Sequence, residues 1–173
     1  MRSGIMAVAI FSMIILSCNT SHDKSAVHQV PGKSEMADLN RYLVRKDRER
    51  IESYIERKNL KMKEAPSGLW YLISSEGTGK YLADKDKVEM DYECTLLDGT
   101  PCYSSRELGP KVIILGKTSL ESGLDQGLRM LKPGGEALFI LPPFMAYGLP
   151  GDGKKIPSRA IVVYSVRIRG GQQ

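Results

Sequence analysis

From Pro66 onward, short runs of hydrophobic residues are separated by turn residues, as short β-strands require. Between Lys87 and Leu97 apolar side chains occupy every second position, and Asp98-Gly99 then supplies a hairpin turn. Shorter strand-like runs recur at residues 69–74, 112–115, 136–141 and 161–169. These patterns predict several strands joined by turns.

One stretch in this half has helical spacing instead. Over Glu121–Leu131 one stripe collects Leu120, Leu124, Leu128 and Leu131, and Pro133-Gly134-Gly135 ends the pattern. Several strands with one brief helix predict an α+β fold in which an antiparallel sheet wraps around that helix. We assign residues 66–173 to this domain.

A longer, charged helix is predicted upstream. Ser34 can cap its N-terminus, two carboxylates lie in its first turn, and it extends to about Lys58 or Leu60. Within Arg41–Glu64, nine Lys or Arg alternate with five Asp or Glu, and such mixed charge usually marks a solvated face. We assign residues 34–65 to this segment.

The apolar stripe of this helix is narrow, because Asp47 interrupts it. The stripe consists of Leu39, Leu43, Ile51 and Ile55. Solvation or packing on its own chain is the simpler interpretation of so narrow a stripe. A homodimer formed through this helix is the alternative.

The N-terminus predicts export and lipid attachment. Met1-Arg2 precedes the apolar run Ile5–Leu16, which is too short to span a bilayer but suits a signal peptide. Ile15-Leu16-Ser17-Cys18 resembles a bacterial lipobox, which implies a signal peptide at 1–17, lipid on Cys18 and a flexible tether at 18–33. The expected location is a bacterial cell membrane, facing the periplasm or the cell exterior. An ordinary secretory signal with a chance cysteine is the alternative.

Charge and histidine content exclude several function classes. The formal net charge of +5 is modest and mixed in sign, which argues against a nucleic-acid partner. Both histidines, His22 and His28, fall in the predicted tether, so Ser-His-Asp, Cys-His and most zinc hydrolase sites become improbable. No phosphate-binding loop, dinucleotide fingerprint or metal-ligand spacing occurs, and we expect neither cofactor nor metal.

An ordered series of motifs resembles the FKBP-type peptidyl-prolyl cis-trans isomerases over Lys87–Ile168, about half the chain. The motifs are Val88–Tyr92, Leu96–Thr100, Ser104-Ser105, Leu115-Gly116, Gly123–Glu136, Pro142–Gly148, Ile156-Pro157 and Ile161–Val166. With the lipobox and the charged helix, the whole chain is similar to FKBP lipoproteins associated with bacterial gliding motility.

The resemblance implies rotation of X-Pro peptide bonds in exported proteins at a membrane surface. The barrier of about 18–20 kcal/mol arises from C–N double-bond character, so neither a nucleophile nor a proton transfer is needed. A hollow that grips proline out of water and donates a hydrogen bond favours the twisted, less polar transition state. A histidine-free domain is compatible with that chemistry.

The resemblance also assigns the site. Tyr92, Tyr147 and Tyr164 are the expected catalytic residues, Tyr147 as donor to the bound carbonyl. Each tyrosine is alternatively a plain core aromatic. The expected substrate-binding residues are Cys102, Tyr103, Lys111, Leu120, Glu121, Leu124 and Ile156. Glu121 stands where an aliphatic residue offers its backbone N–H, a donor that any side chain preserves.

Several of these positions depart from the family pattern. Leu124 replaces a tryptophan, Cys102 and Lys111 replace aromatic residues, and Tyr103 replaces an aspartate beside the ligand. The loss of aromatic surface keeps a second function open: an FKBP-like chaperone or binding module of an envelope or motility assembly, with weak or no turnover. A third possible function is that of a structural lipoprotein that docks through its charged helix.

Two cysteines remain in the predicted domain, Cys94 and Cys102. They lie on facing arms of the hairpin around Asp98-Gly99 and should share a face of the sheet. Two buried thiols are the favoured interpretation, and a strained cross-strand disulfide is the alternative.

Overall fold

The computed structural model describes residues 32–169, which form one antiparallel sheet, a long N-terminal helix and short helical turns. The strands are β1 (Lys63–Glu64), β2 (Trp70–Ser75), β3 (Lys87–Leu96), β4 (Pro101–Ser104), β5 (Lys111–Ile114), β6 (Glu136–Leu141) and β7 (Val162–Ile168). The helices are α1 (Lys33–Arg57), α2 (Ser105–Leu108), α3 (Ser122–Leu128) and the 3₁₀ turn Pro143–Met145. The predicted signal peptide, Cys18 and most of the tether lie outside the described residues.

The sheet has the strand order β1-β2-β6-β7-β3-β4, and β5 also pairs with β3. Strand β3 is the longest and has three neighbours: it pairs with β7 on one side and with both β4 and β5 on the other. The alternation predicted for β3 is confirmed, because Val88, Met90 and Cys94 are buried while Glu93 is exposed.

Helix α3 packs into the concave face of the sheet. Leu124 and Leu128 are fully buried, together with Phe139 of β6. Gly127 allows this close approach, since a Cβ there would lie 2.8 Å from the Phe139 ring. The fold predicted from the sequence, a sheet wrapped around a short helix, is confirmed.

Helix α3 is shorter than the predicted Glu121–Leu131. Met130 donates to the Gly127 carbonyl at 3.1 Å and Leu131 to Leu128 at 3.0 Å, both across three residues, so the chain leaves the helix through tighter turns. The leucine stripe predicted the buried face correctly, but such turns preserve that face and hide the helix end.

Helix α1 packs across the opposite, outer face of the sheet. Ile51 is 1% exposed and contacts Ile140 and Val163, with Trp70 beside them. The N-terminal half extends past the sheet, so that Leu39, which the predicted stripe placed with Ile51, is 47% exposed.

Within the segment assigned to residues 34–65, the helix ends close to the predicted position at Lys58 or Leu60. Helix α1 stops at Arg57, because Asn59 adopts a left-handed φ of 52° and Leu60 donates to the Ile55 carbonyl at 3.0 Å. This is a Schellman motif with asparagine in the left-handed position. Residues Lys63–Glu64 then join the sheet as β1 instead of continuing the helix.

Within residues 32–169, no helix combines the length and apolar character needed to cross a bilayer. In the same range, no cluster of three or more His, Cys, Asp or Glu side chains could hold a metal ion.

Candidate functional site

The three predicted catalytic tyrosines lie together at the concave face of the sheet. Tyr92 comes from β3, Tyr164 from the neighbouring β7, and Tyr147 from the segment after the 3₁₀ turn. The Tyr147 and Tyr164 hydroxyls lie 3.0 Å apart, and the ring centroids of Tyr92 and Tyr164 are 6.5 Å apart. Tyr164 is 2% exposed, whereas Tyr92 and Tyr147 are half-buried. The site therefore has one buried phenol and two at its rim.

An apolar floor lies beneath these phenols. Cys102, Leu124 and Ile156 are each at most 1% exposed and belong to the same buried cluster as Tyr164. Leu120 is half-buried and packs against this cluster. The floor is thus continuous with the core, so its shape is fixed by the packing of α3 on the sheet.

Glu121 brings a carboxylate into the tyrosine cluster. The Tyr164 hydroxyl donates to Glu121 Oε1 at 3.4 Å. The other carboxylate oxygen, Oε2, is buried and has no hydrogen-bond partner among the described residues. The resemblance pointed only to the backbone N–H of this residue, and nothing in the sequence pattern showed that its side chain folds inward.

The environment keeps the phenols protonated. Burial raises the pKa of Tyr164, and burial beside the Glu121 carboxylate raises that of Tyr147. Burial also raises the pKa of Tyr92. At neutral pH all three hydroxyls therefore keep their protons.

The two thiols of the domain are free and buried. A β-bulge between Cys94 and Thr95 shifts the register, so Cys94 lies opposite Tyr103 and not opposite Cys102. Burial raises the pKa of the Cys94 thiol to about 12. Both side chains reach the same core cluster, as the shared sheet face predicted.

Asp152 is a site residue that the sequence did not reveal. The Tyr103 hydroxyl donates to its carboxylate, and the backbone N–H groups of Lys154 and Ile156 each donate to Oδ1 at 2.8 Å. Burial acts to raise the pKa of Asp152, but these hydrogen bonds outweigh it and hold the pKa below its ordinary value. A carboxylate thus lies beside Tyr103, the position at which the resemblance expects an aspartate. Its loop has no periodicity that could have indicated this.

Lys111 is the predicted site residue least connected to the tyrosines. It begins β5 opposite Met90, and within residues 32–169 its ammonium makes no hydrogen bond or ion pair. Its predicted role in substrate binding stays a prediction.

A cleft of about 550 Å³ adjoins the site, because the predicted site residues Tyr92, Cys102 and Tyr103 belong to its lining. Leu72, Leu138 and Ser165 line it, together with charged residues such as Glu93 and Arg167. Neither Tyr147 nor Tyr164 contributes to it. The tyrosine cluster, where hydroxyls meet an apolar floor, is chemically the better candidate site.

Comparisons with known proteins agree with this geometry. The family profile of FKBP-type peptidyl-prolyl cis-trans isomerases matches residues 79–169. A probable FKBP-type isomerase, FkpA, from Neisseria meningitidis serogroup B is 35% identical over 124 residues, which are 70% of this chain and 45% of that protein. The isomerase FKBP10 from Bos taurus is 40% identical over 88 residues, covering 50% of this chain and 15% of that protein.

Solved structures give the same result. The crystal structure of FkpA from Escherichia coli has a TM-score of 0.64 at 28% identity, covering 79% of this chain and 63% of that one. The crystal structure of AtFKBP13 has a TM-score of 0.59 at 25% identity, covering 65% of this chain and 99% of that one. The chain spans less than half the length of the curated relatives described above.

Proposed function

The chain belongs to the FKBP-type peptidyl-prolyl cis-trans isomerase family, and from this premise we propose that it catalyses cis-trans isomerisation of X-Pro bonds. The observation that carries the proposal is the tyrosine cluster, with two half-buried phenols above a fully buried apolar floor. Such a site offers proline a surface without water and offers its carbonyl a donor.

Desolvation is the first part of the mechanism. Water stabilises the planar, charge-separated amide more than the twisted one, so uncatalysed exchange takes tens to hundreds of seconds. A proline ring held between the half-buried Tyr92 and Tyr147 loses contact with water, which removes that stabilisation from the ground state. No group on the protein needs to gain or lose a proton.

Hydrogen bonding to the peptide is the second part. The Glu121 backbone N–H has no acceptor among the described residues, which leaves it available to a bound carbonyl. The Tyr147 hydroxyl, now 3.0 Å from that of Tyr164, can turn to a second carbonyl while Tyr164 keeps Glu121 as its acceptor. These donors hold the peptide while its amide rotates.

Replacement of Tyr147 tests this proposal. We expect Tyr147→Phe to lower kcat/KM on Ala-Xaa-Pro peptides roughly tenfold, the loss of about one hydrogen bond. Tyr42→Phe is the matched control, because Tyr42 is 47% exposed on α1, and it should keep the wild-type rate. An equal rate for Tyr147→Phe and Tyr42→Phe would contradict the assigned role of Tyr147.

The altered site favours one alternative function. The inward carboxylate of Glu121 and the thiol of Cys102 reduce the apolar character of the hollow. A chaperone or binding module of an envelope or motility assembly, with weak or no turnover, would use the same groove. Suppression of client aggregation without acceleration of proline exchange would support it.

We propose that the substrates are proline-containing segments of exported proteins, met at a bacterial membrane surface. The support is the sequence from Met1 to Cys18. Labelling with radioactive palmitate tests the anchor: the wild type should take up label and Cys18→Ala should not. Equal labelling of both would contradict it.

A homodimer through α1 is supported by the exposed apolar side chains Met36, Leu39 and Tyr42, which are each 47–50% exposed. Light scattering at increasing concentration should give twice the monomer mass for the wild type and the monomer mass for Leu39→Glu. A wild type that stays monomeric would overturn the dimer.

A further inference from the structure

An ion pair joins α1 to the loop that carries the tyrosine site. Arg159 Nη2 donates to Asp47 Oδ2 at 2.7 Å across 112 positions of sequence. Asp47 is 5% exposed, and no other charged residue among those that the structure describes is buried. The charge that interrupts the apolar stripe is therefore matched by an arginine more than 100 positions away in sequence.

Arg159 is held in an unfavourable backbone conformation. Its φ is +54°, in the left-handed region that glycine and asparagine adopt far more readily than arginine. Such conformations persist where the surroundings over-determine them, and they often occur at functional sites. The guanidinium contact with Asp47 is a specific reason for an arginine at this position.

The backbone of Arg159 continues the connection to the site. Its N–H donates to the Gly148 carbonyl at 3.1 Å, and the Gly148 N–H donates to the Pro143 carbonyl at 2.9 Å. Gly148 directly follows Tyr147, the expected donor to substrate. A contiguous path therefore runs from the Asp47 carboxylate to the peptide unit beside the Tyr147 side chain.

The other contacts of α1 do not take this path. Ile51 holds the helix on Ile140 and Val163, in the middle of the outer face of the sheet. Asp47, one turn earlier, contacts the loop instead of the sheet. Docking of the helix and tethering of the loop are thus separable by mutation.

We propose that Asp47 is a positioning residue for the reaction: through Arg159 and Gly148 it fixes the segment that presents the Tyr147 hydroxyl. This inference rests on the proposed isomerase function. It makes α1 part of the catalytic apparatus, although no side chain of α1 belongs to the tyrosine cluster.

Asp47→Ala in the full chain is the direct test. We expect roughly a tenfold loss of kcat/KM, since small misplacements of a donor are costly even from a distance. Trp70, the single tryptophan, packs under α1, and its fluorescence emission should stay unchanged. Asp38→Ala is the matched control, the same change at an exposed carboxylate of the same helix, and it should keep the wild-type rate. Wild-type activity in Asp47→Ala would overturn the proposal.

A second variant guards against misfolding. Arg159→Asn removes the guanidinium but suits the left-handed backbone, so the fold is retained and the same loss of rate is expected. Wild-type kcat/KM in a folded Arg159→Asn protein would overturn the proposal.

Coupling to Tyr147 separates positioning from a general structural role. In a Tyr147→Phe background, Asp47→Ala should cause little further loss of kcat/KM, because the group that it positions is already gone. Additive losses in the double variant would show that Asp47 acts elsewhere and would overturn the proposal.

Hydrogen exchange tests the tether without reference to catalysis. Asp47→Ala should accelerate exchange of the Arg159 and Gly148 amides while the amides of β6 keep their wild-type rates. If these amides exchanged faster in Asp47→Ala but the wild-type protein had no isomerase activity, the tether would be supported and the proposed function refuted. Unchanged exchange at Arg159 and Gly148 would overturn the tether itself.

Discussion

Glu121 is the residue at which the site departs most from a simple apolar hollow. Its Oε2 atom is buried and unpartnered among the described residues, and its Oε1 accepts a long 3.4 Å hydrogen bond from Tyr164. An unsatisfied buried polar group typically costs about 1–3 kcal/mol of folding free energy. The residue therefore weakens the folded state while it fills space that proline could occupy.

Glu121→Leu should consequently improve both the stability of the fold and the binding of proline peptides. We expect the free energy of unfolding to rise by about 1 kcal/mol and KM for proline peptides to fall severalfold. Urea denaturation and peptide kinetics measure the two effects. Glu121→Gln keeps the shape and polarity and should show neither gain. A lower kcat/KM in Glu121→Leu would mean that the carboxylate assists the reaction.

Cys94 predicts a loss of stability in alkaline solution. Its pKa rises from an ordinary 9.0 to about 12 on folding, because burial disfavours the thiolate. A raised pKa gives stability that is complete below pH 9 and is lost as the pH rises toward 12, at about 1.4 kcal/mol for each pH unit. Buried Tyr147 and Tyr164 act in the same direction.

Urea unfolding between pH 8 and pH 11.5 measures this loss. In Cys94→Ala, which carries no thiol to ionise at this position, the free energy of unfolding should fall less steeply with pH than in the wild type. Identical slopes for the two proteins would contradict the assignment.

At the residue scale, sequence reasoning placed the tyrosines but not their partners. Tyr92, Tyr147 and Tyr164 were identified because each stands within a short ordered motif. The inward turn of Glu121 and the approach of Asp152 to Tyr103 depend on loop backbone and packing. Those interactions join residues with no shared periodicity, so no local pattern contains them.

The elements show where hydrophobic periodicity suffices. The long strands β3, β6 and β7 were predicted within two residues of their observed ends, since each carries a sustained apolar or alternating run of six residues or more. β1, β4 and α2 are two to four residues long, too short to show a period. The end of α1 was predicted within three residues, although the left-handed φ of Asn59 that ends the helix is not visible in the sequence pattern.

Helix α1 should stabilise the sheet through one side chain above all. Ile51→Ala removes a fully buried side chain, and we expect about 2–4 kcal/mol less stability with a shift in the emission of Trp70. Val44→Ala is the control, because Val44 lies two turns earlier on the same face and is 40% exposed. Equal losses in both variants would show that α1 is not docked as described.

For the whole molecule, the decisive contacts are the most distant in sequence. β2 pairs with β6, β3 with β7, and Asp47 with Arg159, each across more than 60 positions. The fold could be inferred because the order of motifs resembles a family with known topology. The Asp47–Arg159 pair could not, since in the sequence Asp47 is only a charge that breaks an apolar stripe.

Exchange spectroscopy by NMR on an Ala-Xaa-Pro peptide, with the folded wild-type protein added, tests the central claim most directly. The account predicts saturable acceleration of cis-trans exchange in the wild type and most of that acceleration lost in Tyr147→Phe. The emission of Trp70 verifies that the protein is folded. If the folded wild type left exchange at its spontaneous time scale of tens to hundreds of seconds, that result would contradict the account.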